Sequence, residues 1–476
     1  MHDSIVSFVD AYVEALRDQN AAIFAGAGLS IPAGIVDWRE LLRSIAEDVG
    51  LDVDEEDDLV TVAQYHLNKR GRHKINQTLV NEFANRAALT ANHEILAALP
   101  IRTFWTTNYD SLIEQALKAA GKTPDVKITA ENLTTTAHRR DAIVYKMHGD
   151  VSQPDKAVVT REDYELYATT RHLFSTALQG DLVSKTFLFV GFSFSDPNLN
   201  YVLGRIRTLL GTNVRHHYCL LRRVHLRDFK TRREFHYARA KQDLQVDDLM
   251  RYGIIGLVVD DYSKYTSVLR RIAHRFRRSR VFISGSAADY APWTEPKAGQ
   301  LIQEIARQLA QNGFGVVSGS GLGVGPHVIN GVLEQLDRDK TRVVDDRLIL
   351  RPFPQGIADA AERKRRWTEY RQEMLADAGI AVFLFGNKRN AAGAIVSADG
   401  VEEEFSIAVE KDIAVVPVGC TGSVAAALHR RVAKKFVKYY PKPGYKKLFS
   451  DLGEKSSPTT VAARVLKLVK KLREEA

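Results

Sequence analysis

Short apolar runs alternate with helical stretches through the first 275 residues of the chain. The apolar runs are AAIFAGAG (21–28), IRTFWTTN (101–108), AIVYKMHG (142–149), TFLFVGFS (186–193) and HHYCLL (216–221). Short apolar runs of this length, placed between helices, are typical of buried strands in a parallel sheet. The pattern therefore predicts a mostly parallel sheet that is covered by helices.

The same alternation restarts after a basic stretch that ends at Arg280. Its apolar runs are VFISGS (281–286), GFGVVSGSG (313–321), RLILRPF (347–353), IAVFLFG (380–386) and DIAVVPVG (412–419). A chain of 476 residues is too long for one ordinary hydrophobic core. We therefore predict an α/β protein with two Rossmann-like three-layer domains, residues 1–278 and residues 279–476.

Amphipathic helices are predicted at both ends of the chain, over residues 3–18 and about 457–474. The final helix is interpreted as a packing element. The first helix fits two roles equally well, as a helix packed on its own domain or as an interface between copies.

Composition restricts the class of protein. Hydrophobic residues make up 45% of the chain and charged residues 26%, which is typical of a globular protein. The two cysteines, Cys219 and Cys420, are far apart and show no metal-binding spacing, so neither a disulfide framework nor a zinc site is predicted. The N-terminus does not resemble a signal peptide, and no apolar run reaches the roughly 20 residues that span a bilayer. We therefore expect a cytoplasmic protein.

The first two predicted strands end in residues suited to a nucleotide. Gly26, Gly28 and Ser30 follow the first strand, where small residues allow a diphosphate to approach the backbone and the next helix offers free amide groups. Asn108 and Asp110 follow the second strand in TTNYD, and polar residues at this edge of a parallel sheet line the ligand crevice. Taken singly, each motif also fits a glycine turn or a helix cap.

Two further strands end at the same predicted edge. KMHGD places His148 there, and histidine is the side chain best suited to proton transfer near neutral pH. GFSFSDPN places Gly191 and Ser193 there, with Asp196 and Pro197 beginning the next helix. A lone histidine after a strand is more often structural, but the four strand ends together indicate a shared site.

In their order and spacing, these motifs resemble those of the sirtuins. The resemblance covers GAGLS, GIVDWREL (34–41), TTNYD, KMHGD and GFSFSDPN, over about residues 15–270. It implies that NAD+ is bound, with Gly26, Gly28 and Ser30 at the diphosphate and Asp37 and Trp38 in a loop over the nicotinamide. It further implies that Asn108 and Asp110 lie beside the nicotinamide ribose, and that His148 is the general base. Gly191 and Ser193 are expected to face a ribose or a phosphate.

The chain departs from the sirtuin deacylases in two features. It lacks their four-cysteine zinc module, and the segment between His148 and Gly191 contains no clear counterpart of the acyl-peptide site. Without an acyl acceptor, water is the natural nucleophile at C1′ of the nicotinamide ribose. The resemblance thus favours a metal-free NAD+ hydrolase that releases nicotinamide and ADP-ribose, with Asn108 and His148 as the catalytic residues.

The second half contains a dense glycine loop, SGSGLGVGPHVINGVLEQ (318–335), which lacks the Lys-Ser/Thr of an ATP-binding P-loop. Together with VFISGS and GVEEEF (400–405), this loop resembles the SLOG domains, relatives of the LOG nucleotide hydrolases. SADGVEEEF lacks the paired glycines of the LOG hydrolases. The second half is therefore interpreted as a nucleotide sensor.

A sirtuin-like domain followed by a SLOG domain resembles the Thoeris antiphage effectors over nearly the whole chain. The resemblance implies that a cyclic ADP-ribose isomer, made by a TIR-domain partner protein, binds the SLOG domain and releases the hydrolase activity. It implies a homo-oligomer, a tetramer or larger. The signal-binding residues that it implies are Arg371, Lys388, Glu403, Ser284, Ser320 and Gly323.

Three alternatives remain open from the sequence. The first is an NAD+-dependent protein deacylase or ADP-ribosyltransferase, and the second is a nucleotide-sensing scaffold in which Asn108 and His148 are structural. The third is a nucleic-acid role, suggested by a net charge of +9. No recognition motif supports a specific nucleic-acid partner, so this role is the weakest.

Overall fold

The computed structural model describes residues 2–83, 87–192, 194, 196–211, 213, 215–340, 344, 347–354 and 356–475. The chain forms two compact units, Met1–Ala273 and His274–Ala476, called unit 1 and unit 2 below. The predicted boundary at 278/279 lies between a helix that ends at Arg277 and a strand that begins at Arg280. No described helix is long and apolar enough to cross a membrane.

Unit 1 contains a sheet of seven parallel strands among its described residues. The strands are β1 (Ala21–Ala25), β2 (Thr103–Thr106), β3 (Pro124–Lys127), β4 (Ala142–Lys146), β5 (Thr186–Val190), β6 (His217–Arg222) and β7 (Ile254–Val259). Their order across the sheet is β3-β4-β2-β1-β5-β6-β7. The neighbouring strands β1 and β5 are buried at every position and are apolar except for Thr186, as expected for a sheet covered on both faces.

The helices of unit 1 connect these strands and carry the polar surface. They are α1 (His2–Arg17), α2 (Trp38–Glu47), α3 (Leu59–Arg70), α4 (His73–Phe83), α5 (Ala91–Ala98), α6 (Leu112–Ala119), α7 (Arg161–Glu165), α8 (Tyr167–Thr170), α9 (His172–Ser184), α10 (Pro197–Leu210), α11 (Arg232–Met250) and α12 (Tyr262–Arg277). Helix α1 is amphipathic, and it buries Phe8, Val9, Tyr12 and Leu16. The Tyr12 hydroxyl donates to the carbonyl of Ala22 in β1, so this face of α1 packs on its own unit.

The register of the sheet brings four strand ends level. Ala25 of β1 pairs with Thr106 of β2 and with Val190 of β5, and Thr106 pairs with Lys146 of β4. The residues that follow these four positions therefore meet at one edge of the sheet, as the sequence predicts. This edge is where ligands bind in open parallel sheets.

Unit 2 contains a second parallel sheet and a short antiparallel hairpin. The sheet strands are β8 (Arg280–Ser286), β9 (Gly315–Ser318), β10 (Leu348–Leu350), β11 (Ile380–Phe385) and β14 (Ala414–Pro417), and the hairpin strands are β12 (Asn387–Arg389) and β13 (Ile395–Ser397). The sheet order is β10-β9-β8-β11-β14. The first strand lies at the centre and the order reverses beside it, as in Rossmann-like folds.

The helices of unit 2 pack on both faces of this sheet around one hydrophobic core. They are α13 (Glu295–Gln311), α14 (Gly325–Arg338), α15 (Ala360–Ala376), α16 (Asp399–Glu410), α17 (Ser423–Lys434), α18 (Phe436–Tyr439), α19 (Lys446–Ser450) and α20 (Pro458–Glu474). Helix α20 buries Val461, Val465, Leu468 and Leu472 in this core, which confirms its predicted packing role. The predicted fold class, two α/β units with parallel sheets, is confirmed.

Candidate functional site

A cavity of about 1240 Å³ lies at the carboxyl edge of the unit 1 sheet. It is lined by the ends of β1, β2, β4 and β5, by the loop before α2 and by the first turns of α12. The volume is at the large end of the range for small-molecule sites, which is appropriate for a dinucleotide. Gly26, Gly28, Ser30, Asp37, Trp38, Asn108, Asp110, His148 and Gly191 all line this one cavity.

The glycines of the cavity hold two strand ends in close contact. The amide of Gly28 donates to the carbonyl of Gly191 at 2.9 Å. A Cβ on Gly26 would lie 2.6 Å from that carbonyl oxygen, and a Cβ on Gly191 would lie 2.2 Å from the amide nitrogen of Leu29. Gly191 also has a positive φ of +63°, which favours glycine. The missing side chains are therefore required by contact between the two loops themselves, in addition to the predicted contact with a diphosphate.

Asn108 is buried and fixed by three hydrogen bonds. Its Nδ2 donates to the carbonyl of Gly26 at 3.1 Å and to Oγ of Ser30 at 3.0 Å, and its backbone amide donates to Oγ1 of Thr106 at 2.9 Å. Both Nδ2 protons are used, so Oδ1 is the part of the side chain that remains to accept a hydrogen bond from a ligand hydroxyl or a water. The arrangement also explains Ser30, whose hydroxyl orients Asn108.

His148 lies in the same cavity beside a carboxylate. Its Nε2 lies 2.9 Å from Oδ2 of Asp196, a contact that becomes an ion pair when the imidazole is protonated. Tyr164 packs edge-on against the imidazole, with ring centres 5.4 Å apart. Burial by itself raises the pKa of Asp196, but the nearby His148 and the backbone amides of Leu199 and Asn198 outweigh it, so the pKa is lowered. Asp196 therefore presents a negative charge to the histidine.

Asp196 has a second role as the N-cap of α10. Its Oδ1 accepts a hydrogen bond from the amide of Leu199 at 2.9 Å. From the sequence, Asp196 was predicted only to begin this helix. Its contact with His148 joins residues 48 positions apart, which no local pattern in the sequence reveals.

Asp110 brings a second carboxylate to the cavity. Its Oδ1 caps the start of α6 by accepting from the amide of Leu112 at 3.0 Å, while its Oδ2 is buried and has no hydrogen-bond partner among the described residues. A buried carboxylate oxygen without a partner is costly, so a ligand hydroxyl that donates to it is favoured. This geometry fits the predicted position of Asp110 beside a ribose.

A fully buried lysine supports the same strand ends. Nζ of Lys146 lies 2.7 Å from Oδ2 of Asp150 and 3.4 Å from Oε1 of Glu114, and it donates to the carbonyl of Asp110. Burial lowers the pKa of Lys146, but Glu114, Asp150 and Asp110 raise it more, so the pKa is raised and the ammonium stays charged. Lys146 thus ties the loop that carries Asn108 and Asp110 to the loop that carries His148.

The predicted nicotinamide loop also lines the cavity. Asp37 is exposed and caps α2, with Oδ1 accepting from the amide of Glu40 at 2.9 Å. The indole of Trp38 stacks on Tyr109, with ring centres 6.3 Å apart. The contacts of Asp37 are those of a helix cap, whereas Trp38 contributes an aromatic wall.

The cavity extends along β6 and α12 on its other side. The Tyr265 hydroxyl accepts a hydrogen bond from the amide of Gly191 at 2.9 Å, which fixes the end of β5. Arg222 lies over the ring of Tyr262, and both line the cavity. These residues were not predicted from the sequence, because no glycine-rich motif follows β6 or β7.

In unit 2, the predicted signal-binding residues cluster around Arg371. Nη1 of this buried arginine lies 2.9 Å from Oε2 of Glu403, and its guanidinium lies 4.9 Å from the centre of the Phe353 ring. A Cβ on Gly400 would lie 2.6 Å from Nη2 of Arg371, so the glycine leaves room for the guanidinium. Arg371 and Glu403 therefore hold each other in position, with Thr368 donating to the second oxygen of Glu403.

Ser284 joins this cluster through Glu404. The Ser284 hydroxyl donates to Oε2 of Glu404 at 2.6 Å, and Nε of Arg371 lies 3.5 Å from Oε1. Burial raises the pKa of Glu404 to about 7, although the hydrogen bond from Ser284 and the charge of Arg371 oppose the shift. Glu404 was not predicted as a site residue, since GVEEEF contains three consecutive glutamates and the sequence alone does not show which is buried.

The remaining signal-binding candidates lie in two neighbouring segments. Lys388, in the hairpin, pairs with Asp399 at the start of α16, the helix that carries Glu403. Ser320 has a φ of +55° in the glycine loop, and a Cβ on Gly323 would lie 2.1 Å from the carbonyl oxygen of Ala287. Gly319 of the same loop abuts Phe353, which places the loop beside the Arg371 cluster.

Ser193 is the one predicted site residue that lies outside the described residues. Among the residues that the structure describes, no group of three or more His, Cys, Asp or Glu side chains could hold a metal ion. Cys219 and Cys420 are both buried as free thiols.

The sequence matches two family models in the order of the two units. Residues 102–245 match a SIR2-like domain, and residues 264–472 match the Sir2- and TIR-associating SLOG family. These matches agree with the sirtuin-like and SLOG interpretations of the two halves.

Curated relatives match nearly the full length of the chain. A protein named NAD(+) hydrolase ThsA from Bacillus cereus (strain MSX-D12) is 46% identical, covering 96% of this chain and 96% of that protein. Proteins of the same name from Cytobacillus dafuensis and Acinetobacter baumannii (strain 532279) are 43% and 42% identical, covering 98% and 97% of this chain and 96% and 98% of their own lengths. The chain therefore belongs to the family of the ThsA NAD(+) hydrolases.

Proposed function

We propose that this chain hydrolyses NAD+ to nicotinamide and ADP-ribose, and that the loss of NAD+ is its contribution to antiphage defence in the bacterial cytoplasm. The observation that carries the proposal is the single cavity that brings Asn108 and His148 together with the glycine contact of Gly26, Gly28 and Gly191. The names of the full-length relatives support NAD+ as the substrate.

The residues of the cavity fit each step of this reaction. The bond between C1′ of the ribose and the nicotinamide nitrogen breaks, and nicotinamide leaves with the bonding electrons. An oxocarbenium-like centre develops at C1′, where water adds and loses a proton. Oδ1 of Asn108 positions the ribose or the water, and the imidazole of His148 accepts the proton. This route involves no metal ion.

Asp196 strengthens the case for His148 as the base. An imidazole that accepts a proton becomes positively charged, and the carboxylate 2.9 Å from Nε2 stabilises that charge. Because the pKa of Asp196 is lowered, the carboxylate stays ionised through the neutral range. His148 is thus a buried base with a fixed counter-ion rather than a lone structural histidine.

We further propose that a cyclic ADP-ribose isomer, produced by a TIR-domain partner protein, gates the activity by binding unit 2. In this proposal the phosphates of the signal bind Arg371 and Lys388, because Arg offers a planar fork and Lys a point charge. Glu403, released from Arg371, then accepts hydrogen bonds from a ribose hydroxyl. Ser284, Ser320 and Gly323 complete the site, and the active form is a homo-oligomer, a tetramer or larger.

The experiment is NAD+ cleavage by the purified full-length chain, with products separated by chromatography, in the presence and absence of cyclic ADP-ribose isomers. We expect nicotinamide and ADP-ribose in equal amounts, at a rate that rises with one isomer. His148→Ala should lose the activity, while His172→Ala, a matched change at an exposed histidine, should retain it. A product other than ADP-ribose, or full activity of His148→Ala, would contradict the proposal.

A further inference from the structure

One surface of unit 2 carries most of the excess positive charge of the chain. Residues 413–450 contain no Asp or Glu and eight Arg and Lys, whereas the net charge of the whole chain is +9. We call these eight exposed side chains the basic surface. They are Arg430, Arg431, Lys434, Lys435, Lys438, Lys442, Lys446 and Lys447.

Aromatic packing joins the helices that carry these cations. The ring of Phe449 on α19 stacks on His429 of α17 at 4.3 Å and packs against Phe436 of α18 at 5.5 Å, measured between ring centres. Tyr440 packs against Phe436 and against Phe449, at 5.1 and 5.4 Å. These rings join three short helices, so the cations between them in sequence face outward.

The charges on the basic surface are not balanced within the chain. Two exposed cations elsewhere in unit 2 pair with an acid one helical turn away, Arg338 with Glu334 and Arg365 with Glu369. On α17, Arg430 and Lys434 instead lie at i,i+4, and a like-charge pair at this spacing destabilises a helix. Within the described residues, none of the eight side chains pairs with a carboxylate. Because no carboxylate of the described residues offsets this repulsion between like charges, the surface is suited to bind a polyanion from outside the chain.

The apolar face of α17 argues against a lipid bilayer as that polyanion. Val424, Leu428 and Val432 are buried in the core, and Val437 is the one large apolar side chain exposed among residues 423–450. A helix that binds at a membrane interface needs an apolar face free to enter it. The surface thus offers charge with almost no apolar area.

We propose that the basic surface binds the phosphate backbone of double-stranded DNA without preference for base sequence. Six of the eight cations are lysines, which act as point charges for phosphate rather than as readers of base edges. Arg430, Arg431 and Lys434 lie in the last five residues of α17, and Lys435 and Lys438 follow directly, so these five cations can together reach about five phosphates. Backbone binding needs no recognition motif, which agrees with the absence of one in the sequence.

The test is fluorescence anisotropy of a labelled 30-base-pair duplex with the full-length protein, between about 50 and 200 mM salt. For five phosphate contacts we expect a slope of about −4.5 in a plot of log affinity against log salt. The variant Lys434→Gln/Lys435→Gln/Lys438→Gln should reduce the slope to about −2 and weaken binding at least tenfold, since each lost contact removes about one unit. Gln has nearly the helix propensity of Lys, so the fold should persist.

A matched control removes three exposed cations from α11 of unit 1, as Arg232→Gln/Arg233→Gln/Lys241→Gln. It should bind DNA as the parent does, and Arg430→Gln/Arg431→Gln should reproduce the loss if the lysine variant is unstable. An equal loss in the control variant, or no salt-dependent binding, would overturn the proposal. Tighter binding to vesicles that contain phosphatidylserine, or self-association abolished by the lysine variant in sedimentation, would overturn it in favour of a membrane or a second copy.

Discussion

Replacing Gly191 by alanine tests whether the contact between the ends of β1 and β5 shapes the cavity that we propose for NAD+. A Cβ at this position would lie 2.2 Å from the nitrogen of Leu29 and 2.5 Å from the carbonyl carbon of Gly28. Both are backbone atoms, so no side-chain rotation relieves the overlap. The loops must separate, and Gly26 and Gly28 must move with respect to Asn108, which bonds to the carbonyl of Gly26.

Two costs add at this position. The φ of +63° costs a residue with a Cβ about 1–2 kcal/mol, and overpacking against fixed atoms costs about 1–3 kcal/mol more. We therefore expect a loss of about 2–5 kcal/mol in the free energy of unfolding of unit 1. For a unit of this size the melting temperature falls by roughly 2–4 °C per kcal/mol, so the loss corresponds to roughly 4–20 °C.

Gly211→Ala is the matched control, because Gly211 has nearly the same φ, +61°, and no atom of the described residues lies within 4 Å of its Cβ position. It should show only the conformational cost of about 1–2 kcal/mol and keep the parent KM for NAD+. Calorimetry and NAD+ cleavage kinetics measure both variants, and Gly191→Ala should raise KM at least tenfold. Equal melting temperatures for the two variants with an unchanged KM would refute the reasoning.

Three further predictions concern single side chains. Asp196→Asn should lower kcat at least tenfold, which corresponds to a rise of about 1.4 kcal/mol in the activation barrier, with little change in melting temperature. The reason is that Asn still caps α10 but no longer offers a negative charge to His148. An unchanged kcat would show that Asp196 has no role in the mechanism. Glu404→Gln should stabilise the protein increasingly from pH 5 to pH 8. The pKa of Glu404 is raised to about 7, so its stabilising contribution is fully present below about pH 4.5 and is lost as pH rises through 7, a difference of about 3 kcal/mol in the free energy of unfolding. Calorimetry that shows a pH-independent gain in stability for the variant would contradict this assignment. Gly400→Ala should displace the guanidinium of Arg371. The concentration of the cyclic ADP-ribose isomer that gives half-maximal activation should then rise about tenfold, or about 1.4 kcal/mol, while basal cleavage is unchanged. An unaltered activation curve would count against Arg371 as a signal-binding residue.

The sequence predicts the central strands well because they are buried on both faces. β1 and β11 are continuous apolar runs, β5 is apolar after Thr186, and β8 is apolar over residues 281–283; all four were predicted. β3 (PDVK) was not predicted, since it is a short edge strand with two charges, and Lys127 is buried only because it pairs with Asp125. β7 (Ile254–Val259) is also an apolar run that the sequence pattern could have predicted, but it was not among the predicted strands.

The site residues divide in the same way, into those that the local sequence predicts and those that only the folded chain brings together. Gly26, Asn108 and His148 follow strands, so their meeting at one edge could be predicted from the parallel order alone. The partners that fix them come from elsewhere in the chain. Asp196 reaches His148, and Tyr265 holds Gly191, through contacts that only the folded chain creates.

The central claim, that this cavity hydrolyses NAD+, is tested most directly by cleavage assays on Asn108→Ala beside the parent chain, with and without a cyclic ADP-ribose isomer. The variant loses the side chain that spans Gly26 and Ser30 but leaves unit 2 untouched. The account predicts nicotinamide and ADP-ribose from the parent, a rate that rises with the isomer, and cleavage lost in the variant while the isomer still binds. Undiminished cleavage by Asn108→Ala, or a parent chain that binds NAD+ and never cleaves it, would contradict the account.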